Sequence, residues 1–124
     1  MIKKLAFLLL TVILFVACST KKGSFNLYDK KAVASYYADK FNGKKTASGE
    51  TFSNNKLTAS HKKLPFGSKV KVTNLANKKS ITVTVNDRGP FSGGRDIDLS
   101  KKAFMQITDN KNHGELKVSL EIAK

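Results

Sequence analysis

Lys69-Val70-Lys71-Val72-Thr73 and Ser80-Ile81-Thr82-Val83-Thr84-Val85 decide the fold class, because both alternate apolar with polar residues. A two-residue period puts every apolar side chain on one face of a strand and every polar one on the other. Asn74 to Lys79 between them is polar and predicts a hairpin loop. Working outward, Leu116-Lys117-Val118-Ser119-Leu120-Glu121-Ile122 returns to strict alternation as a final strand, and Val33-Ala34-Ser35-Tyr36-Tyr37-Ala38 reads as a first one. Residues 39 to 56 are polar and turn-forming, with Gly43 and Gly49. Ser100 is placed to cap a short helix through Ile107 that carries Ala103, Phe104 and Ile107 on one face. Several short strands in one small domain predict an all-β barrel or sandwich.

Directly after the hairpin comes Asn86-Asp87-Arg88-Gly89-Pro90-Phe91-Ser92-Gly93-Gly94-Arg95-Asp96-Ile97-Asp98-Leu99-Ser100. It holds three carboxylates and both arginines of a chain that otherwise uses only lysine for fixed positive charge. Lysine is a flexible point charge, whereas the planar guanidinium fork grips a carboxylate or a pair of sugar hydroxyls in set geometry. Arg88 and Arg95 are therefore expected either to bind substrate or to brace a turn. Gly89-Pro90 and Gly93-Gly94 supply the tight backbone that a turn over a cleft needs.

At the N-terminus, Lys3-Lys4 precedes an apolar run from Leu5 to Val16, broken only by Thr11, and then Ala17-Cys18-Ser19. About twelve apolar residues are too few to span a bilayer, which takes roughly twenty, but they suit a secretory signal. Residues 1–17 are thus expected to be a lipoprotein signal peptide, with Cys18 as the lipidated residue of a Phe15-Val16-Ala17-Cys18 lipobox. The one cysteine of an exported chain can form no internal disulfide. Residues 18–31 are expected to be a flexible tether and 32–124 the single domain. The expected location is the cell envelope, on the outer membrane facing the periplasm in a Gram-negative cell. The net charge of +14 favours polyanions. Export directs that preference to cell-wall polymers and anionic lipids and away from nucleic acid. With His61 and His113 the only histidines, no metal site and no cofactor are expected.

Ala34-Ser35-Tyr36-Tyr37, the run from Phe41 to Glu50, the run from Leu57 to Gly67, Asn86-Asp87-Arg88-Gly89-Pro90-Phe91 and Asp96-Ile97-Asp98-Leu99-Ser100 occur in that order. Together they resemble the rare lipoprotein A family of bacterial cell-wall proteins over about residues 32 to 122. The resemblance implies a six-stranded double-psi β-barrel with one or two short helices. It also implies a monomeric lytic transglycosylase that cuts peptidoglycan glycan strands, preferring those stripped of stem peptides, and leaves 1,6-anhydromuramyl ends. Tyr36 stands where the family more often has Trp. No C-terminal sporulation-related repeat follows the barrel in this sequence, so septal targeting is not expected.

Hydrolytic glycosidases need two carboxyls, whereas a lytic transglycosylase uses the muramyl C6 hydroxyl as internal nucleophile. One carboxyl then serves first as acid and later as base. By strand alternation Asp87 falls on the side of Ile81, Val83 and Val85, a desolvating setting that favours the protonated acid. The resemblance maps the essential acid onto Asp87, a second carboxylate onto Glu50, and a third cleft position onto His61. Arg88, Arg95, Tyr37, Phe91 and Asp98 are the expected glycan-binding set, Asp98 also reading as a hydrogen-bonding acid beside the helix start. The competing expectation is an expansin-like module that binds or loosens the wall without cutting a bond.

Overall fold

The computed structural model describes residues 24–124; the expected signal peptide and Cys18 lie outside the described residues. Six strands run in chain order as β1 (Phe25–Tyr36), β2 (Thr58–His61), β3 (Lys69–Asn74), β4 (Ser80–Asp87), β5 (Ile97–Leu99) and β6 (Leu116–Ala123), with a helix α1 (Lys101–Ile107) between the last two. A 3₁₀ turn covers Asp39–Phe41. The strands close into a barrel in the order β1-β5-β2-β4-β3-β6. The β1–β5 and β2–β4 pairs are parallel and the rest antiparallel. Closure leaves no open sheet edge.

The alternating strands behave as their pattern dictates. Val70 and Val72 of β3, Val83 and Val85 of β4, and Val118 and Leu120 of β6 point into the barrel and are buried. Helix α1 lies against the barrel and buries Ala103, Phe104 and Ile107. Ser100 caps it, its side chain accepting from the Ala103 N–H at 3.3 Å. Tyr36, where the family more often has Trp, packs its ring 4.7 Å from that of Phe104. The position therefore belongs to the packing under α1.

Three elements depart from the expectations. Residues 25–31, expected to belong to the tether, are strand instead, because β1 begins at Phe25 and pairs with β6 from Phe25↔Ala123 onward. Asn26, Leu27, Tyr28, Lys30 and Lys31 are exposed. That half of β1 thus has no apolar period, and its strand state follows from its pairing with β6. Strands β2 and β5, of four and three residues, were not legible either. Both are too short to show a period, and β5 is clasped between β1 and β2.

Removing the helix cap should be measurable. Ser100→Ala leaves the Ala103 N–H without its partner and should lower unfolding free energy by about 1 kcal/mol, read as a lower denaturant midpoint at unchanged slope.

Candidate active site

Asp87 does not follow the side assigned to it by alternation. Between Ala59↔Val85 and Ser60↔Asp87 the β2–β4 register advances one residue on β2 and two on β4. Asn86 is the extra residue of a bulge, and a one-residue insertion turns the next side chain to the opposite face. Val85 stays in the core while Asp87 turns outward and is half-buried. The expectation of a desolvating pocket beside Val83 and Val85 is therefore corrected.

On the outer face Asp87 enters a cross-strand row. Ser35 of β1 stands opposite Asp98 of β5, Asp98 opposite Ser60 of β2, and Ser60 opposite Asp87 of β4. Asp87 and Asp98 lie two strand spacings apart, about 9–10 Å between backbones. Tyr37, just past β1, spans that gap. Its ring stacks on Phe52 with centroids 4.2 Å apart, and its hydroxyl donates to Asp87 Oδ2 at 2.6 Å. Burial, then the bond to Asp87, raises the pKa of the Tyr37 hydroxyl, so it stays a neutral donor. Ser60 Oγ is buried beside the same hydroxyl.

The other oxygen of Asp87, Oδ1, accepts from the Ala47 N–H at 2.8 Å and from the Arg88 N–H at 2.9 Å. The Ala47 bond, with Ser48 N–H donating to Asn86 O at 3.3 Å, docks the Thr46–Glu50 turn onto the end of β4. Gly49 sits in this turn at φ +92°, backbone that a side chain would strain. Glu50 rides on the turn, exposed, its Oε1 accepting from Ser48 Oγ at 3.4 Å. The structure thus puts Glu50 on the loop that Asp87 holds.

His61 is not brought to Asp87. Its ring lines a separate cavity of about 240 Å³ with Tyr28, Asp29, Lys62, Lys63 and Asp96. Nδ1 accepts from the Lys63 and Leu64 N–H groups at 3.0 and 3.2 Å, so the proton of the neutral ring sits on Nε2. Burial pushes the His61 pKa below the usual histidine value. The imidazole braces the turn after β2.

Both arginines spend their forks on the protein. Arg88 Nη1 donates to the carbonyls of His61 and Leu64 at 3.3 and 2.9 Å, and its guanidinium lies 4.1 Å from the Phe66 ring centroid. Arg95 Nη1 donates to Ser35 Oγ at 3.0 Å and meets Asp98 Oδ1 at 3.5 Å, while Ser35 Oγ donates to the same Asp98 oxygen. Asp98 is therefore clamped from two sides within the row. Phe91 is the most open of the expected binding residues, 80 % exposed. Gly89 allows this loop: at φ +112° it lies against Phe91, whose ring a Cβ there would meet at 3.4 Å.

Only the two carboxylates of the row reach solvent: Asp87 and Asp98 are half-buried, whereas Ser35 and Ser60 are buried. A depression of about 820 Å³ lies elsewhere, lined by Asp39, Asn54, Lys101 and Met105 among others. No group of three or more His, Cys, Asp or Glu among the described residues is placed to hold a metal ion. Sequence reading missed Ser35 and Ser60, whose membership in the row is a matter of register alone.

Barrel order, parallel pairs and capping helix define a double-psi β-barrel, and solved structures agree. A Streptomyces papain inhibitor matches 78 % of this chain and 96 % of its own at a TM-score of 0.62 and 21 % identity. An expansin of Clavibacter michiganensis matches 78 % of this chain and 51 % of its own at 0.61 and 17 % identity. At such identities the likeness concerns the fold alone. The lytic transglycolase family model matches residues 29–120, and the chain belongs to that family. Among curated relatives, a probable endolytic peptidoglycan transglycosylase RlpA of Synechocystis is 56 % identical over 63 % of this chain and 24 % of its own length. The endolytic peptidoglycan transglycosylase RlpA of Campylobacter jejuni is 53 % identical over 73 % of this chain and 32 % of its own. That of Rickettsia felis is 49 % identical over 82 % and 45 %. The chain thus spans less than half the length of each of these relatives, and the rare lipoprotein A resemblance is confirmed at the level of family.

The bracing role of His61 has a pH signature. With its pKa lowered in the folded state, the unfolded chain binds the proton more readily. The stability gained from the neutral ring is present above about pH 6.5 and is lost as pH falls below it. Unfolding free energy should drop as pH falls below about 6.5, and His61→Asn, which keeps an acceptor but does not titrate, should flatten that segment. An unchanged slope would move the effect to other groups.

Proposed function

We propose that this chain is a lytic transglycosylase acting on peptidoglycan glycan strands, with Asp87 as the acid and base. The observation that carries this is the half-buried Asp87 carboxylate, turned out of the core by the Asn86 bulge and held by Tyr37 and the 46–50 turn. In the first step Asp87 gives a proton to the glycosidic oxygen as the bond from the muramyl C1 breaks. In the second, the C6 hydroxyl of the same sugar bonds to C1 and returns its proton to Asp87, which leaves a 1,6-anhydro end and a regenerated acid. No water is consumed, so one carboxyl suffices. The Tyr37 hydroxyl can accept as well as donate, so its contact with Asp87 survives both proton states.

Glu50, on the docked turn, assists from the loop side. Phe91 offers a sugar-stacking ring, and the clamped Asp98 offers hydrogen-bond acceptors along the strand. His61 and Arg88 support the site by holding the 61–66 turn. A second reading, a glycan-binding module that cuts nothing, draws on the three hydrogen bonds that already occupy Asp87.

Products separate the two readings. Wild-type protein should release anhydro-ended fragments from purified glycan strands, detected by mass. Asp87→Asn should reduce release by about 10²–10⁴-fold, the usual range for general acid–base catalysis, while still binding strands. Glu50→Gln should cost less. Binding without any fragment release by the wild type would leave the non-cutting module, and activity surviving in Asp87→Asn would overturn the residue assignment.

We also place the protein at the cell envelope, anchored through Cys18 after removal of residues 1–17. The apolar run that ends at the chain's one cysteine supports this. Several acyl chains on one residue give stable anchoring where one chain is marginal. Cys18→Ser should leave the protein in the soluble fraction or as unprocessed precursor. A variant processed normally and retained in membranes would remove the anchor.

A further inference from the structure

The three donors that meet Asp87 are not equivalent, and the difference picks out one oxygen. Oδ1 accepts from the N–H groups of Ala47 and Arg88 at 2.8 and 2.9 Å. Both are backbone amides, which donate and cannot accept. A carboxyl oxygen offers two lone pairs in its plane, so these two donors fill Oδ1. A proton placed there would meet two N–H hydrogens. Among the described residues Oδ2 meets only the Tyr37 hydroxyl, at 2.6 Å, and keeps its other lone pair open. Oδ2 is therefore the atom on which a proton can come and go.

Tyr37 reaches that atom as a rigid strut. Its N–H donates to Leu99 O at 3.1 Å, and its carbonyl accepts from Asn54 Nδ2 at 3.1 Å. Its ring is stacked on Phe52 and meets Phe41 edge-on, centroids 5.8 Å apart. Asn54 is itself buried and tied at both ends of its amide. Its Oδ1 accepts from the Lys101 N–H at 2.8 Å, and its Nδ2 also donates to Asp39 Oδ1 at 2.9 Å. The strut thus stands on the first residue of α1. With backbone and ring both held, the phenol oxygen has a fixed place beside Oδ2. Tyr37 and Asp87 are 50 residues apart in the chain, so only barrel closure makes this contact.

We propose that Tyr37 is a positioning residue for the proton transfer: it reserves the open side of Asp87 Oδ2 for the glycosidic oxygen and stabilises the carboxylate left when that proton departs. The inference rests on the glycan-cleavage reading and names the residue that sets the geometry of its acid. While Asp87 holds the proton, the Tyr37 bond ends on a neutral oxygen. As the proton moves to the glycosidic oxygen, the same bond ends on a developing anion. A hydrogen bond to an ionised oxygen is roughly twice as strong. An interaction that tightens only along the reaction lowers the barrier without tightening the binding of substrate. When the C6 hydroxyl gives up its proton in the second step, Oδ2 is again the oxygen with a lone pair to take it. The Tyr37 hydroxyl, expected from the sequence to contact glycan, is thereby committed to Asp87.

Tyr37→Phe keeps the ring on Phe52 and deletes only the hydroxyl. With the full chain and purified glycan strands, kcat for fragment release should fall by about 10–100-fold, the range for one hydrogen bond to a charged group. KM and equilibrium binding of strands should stay at their wild-type values. Tyr36→Phe takes a hydroxyl from the adjacent ring, which packs under α1, and should change neither kcat nor KM. In an Asp87→Asn background no charge develops at residue 87, so adding Tyr37→Phe should cost little more, because residues that act as a unit are not additive. Three results would overturn the role: wild-type kcat in Tyr37→Phe, a loss carried by KM or by weaker strand binding, or the full Tyr37→Phe loss repeated on top of Asp87→Asn. A wild type that cuts no strand would remove the transglycosylase reading and this role with it. Cleavage that survives Tyr37→Phe undiminished removes the role alone.

Discussion

A single extra residue in β4 governs what this barrel can do. Had the β2–β4 ladder run without interruption, Asp87 would have followed Val83 and Val85 into an apolar interior, where a charge cannot stay unpaired. The bulge at Asn86 places it opposite Ser60 on the outer face instead, and three donors meet it there. The consequences spread outward from that bond set. Ala47 ties the 46–50 turn to β4, which carries Glu50 to the same neighbourhood, and Tyr37 ties the end of β1 across the row. Bulges commonly re-aim side chains next to functional sites, and here the re-aimed residue is also the mechanical anchor of the loops around it.

The division of labour between the two cationic residue types follows from their shapes. Each arginine is committed to a rigid internal task. Arg88 grips two carbonyls of the turn after β2, and Arg95 clamps Ser35 and Asp98 at the other end of the row. In both, Nη1 of the planar guanidinium donates in directions fixed by the group, where the donors of an ammonium rotate freely. The lysines stay on the surface, where a long-range, screenable charge attracts a polyanion without prescribing its pose. The arginines hold the protein's own groups, and most lysines face solvent.

Aromatic residues divide in a related way. Tyr36 serves the packing beneath α1, while its neighbour Tyr37 lies between Phe52 and Phe41 and points its hydroxyl into the row. The last residue of β1 and the one after it therefore serve the core and the site in turn.

Alternation in residues 69–73, 80–85 and 116–122 was enough to establish an all-β domain with a β3–β4 hairpin, since a two-residue period has no other stable use. Ser100 and the apolar face behind it marked α1 because capping and helical spacing are local properties. The concentration of arginine and aspartate between residues 86 and 100 marked the site region for the same reason. Barrel closure, by contrast, depended on β2 and β5, whose few residues carry no period and become strands only when clasped by neighbours. The N-terminal half of β1 gained its state from β6, over ninety residues away by the Asn26↔Ile122 pairing. The face presented by Asp87, the union of Ser35, Asp98, Ser60 and Asp87 in one row, and the separation of His61 from that row were likewise decided in three dimensions. Register between strands is a long-range quantity, and shifting it by one residue reverses the face of every side chain beyond the shift.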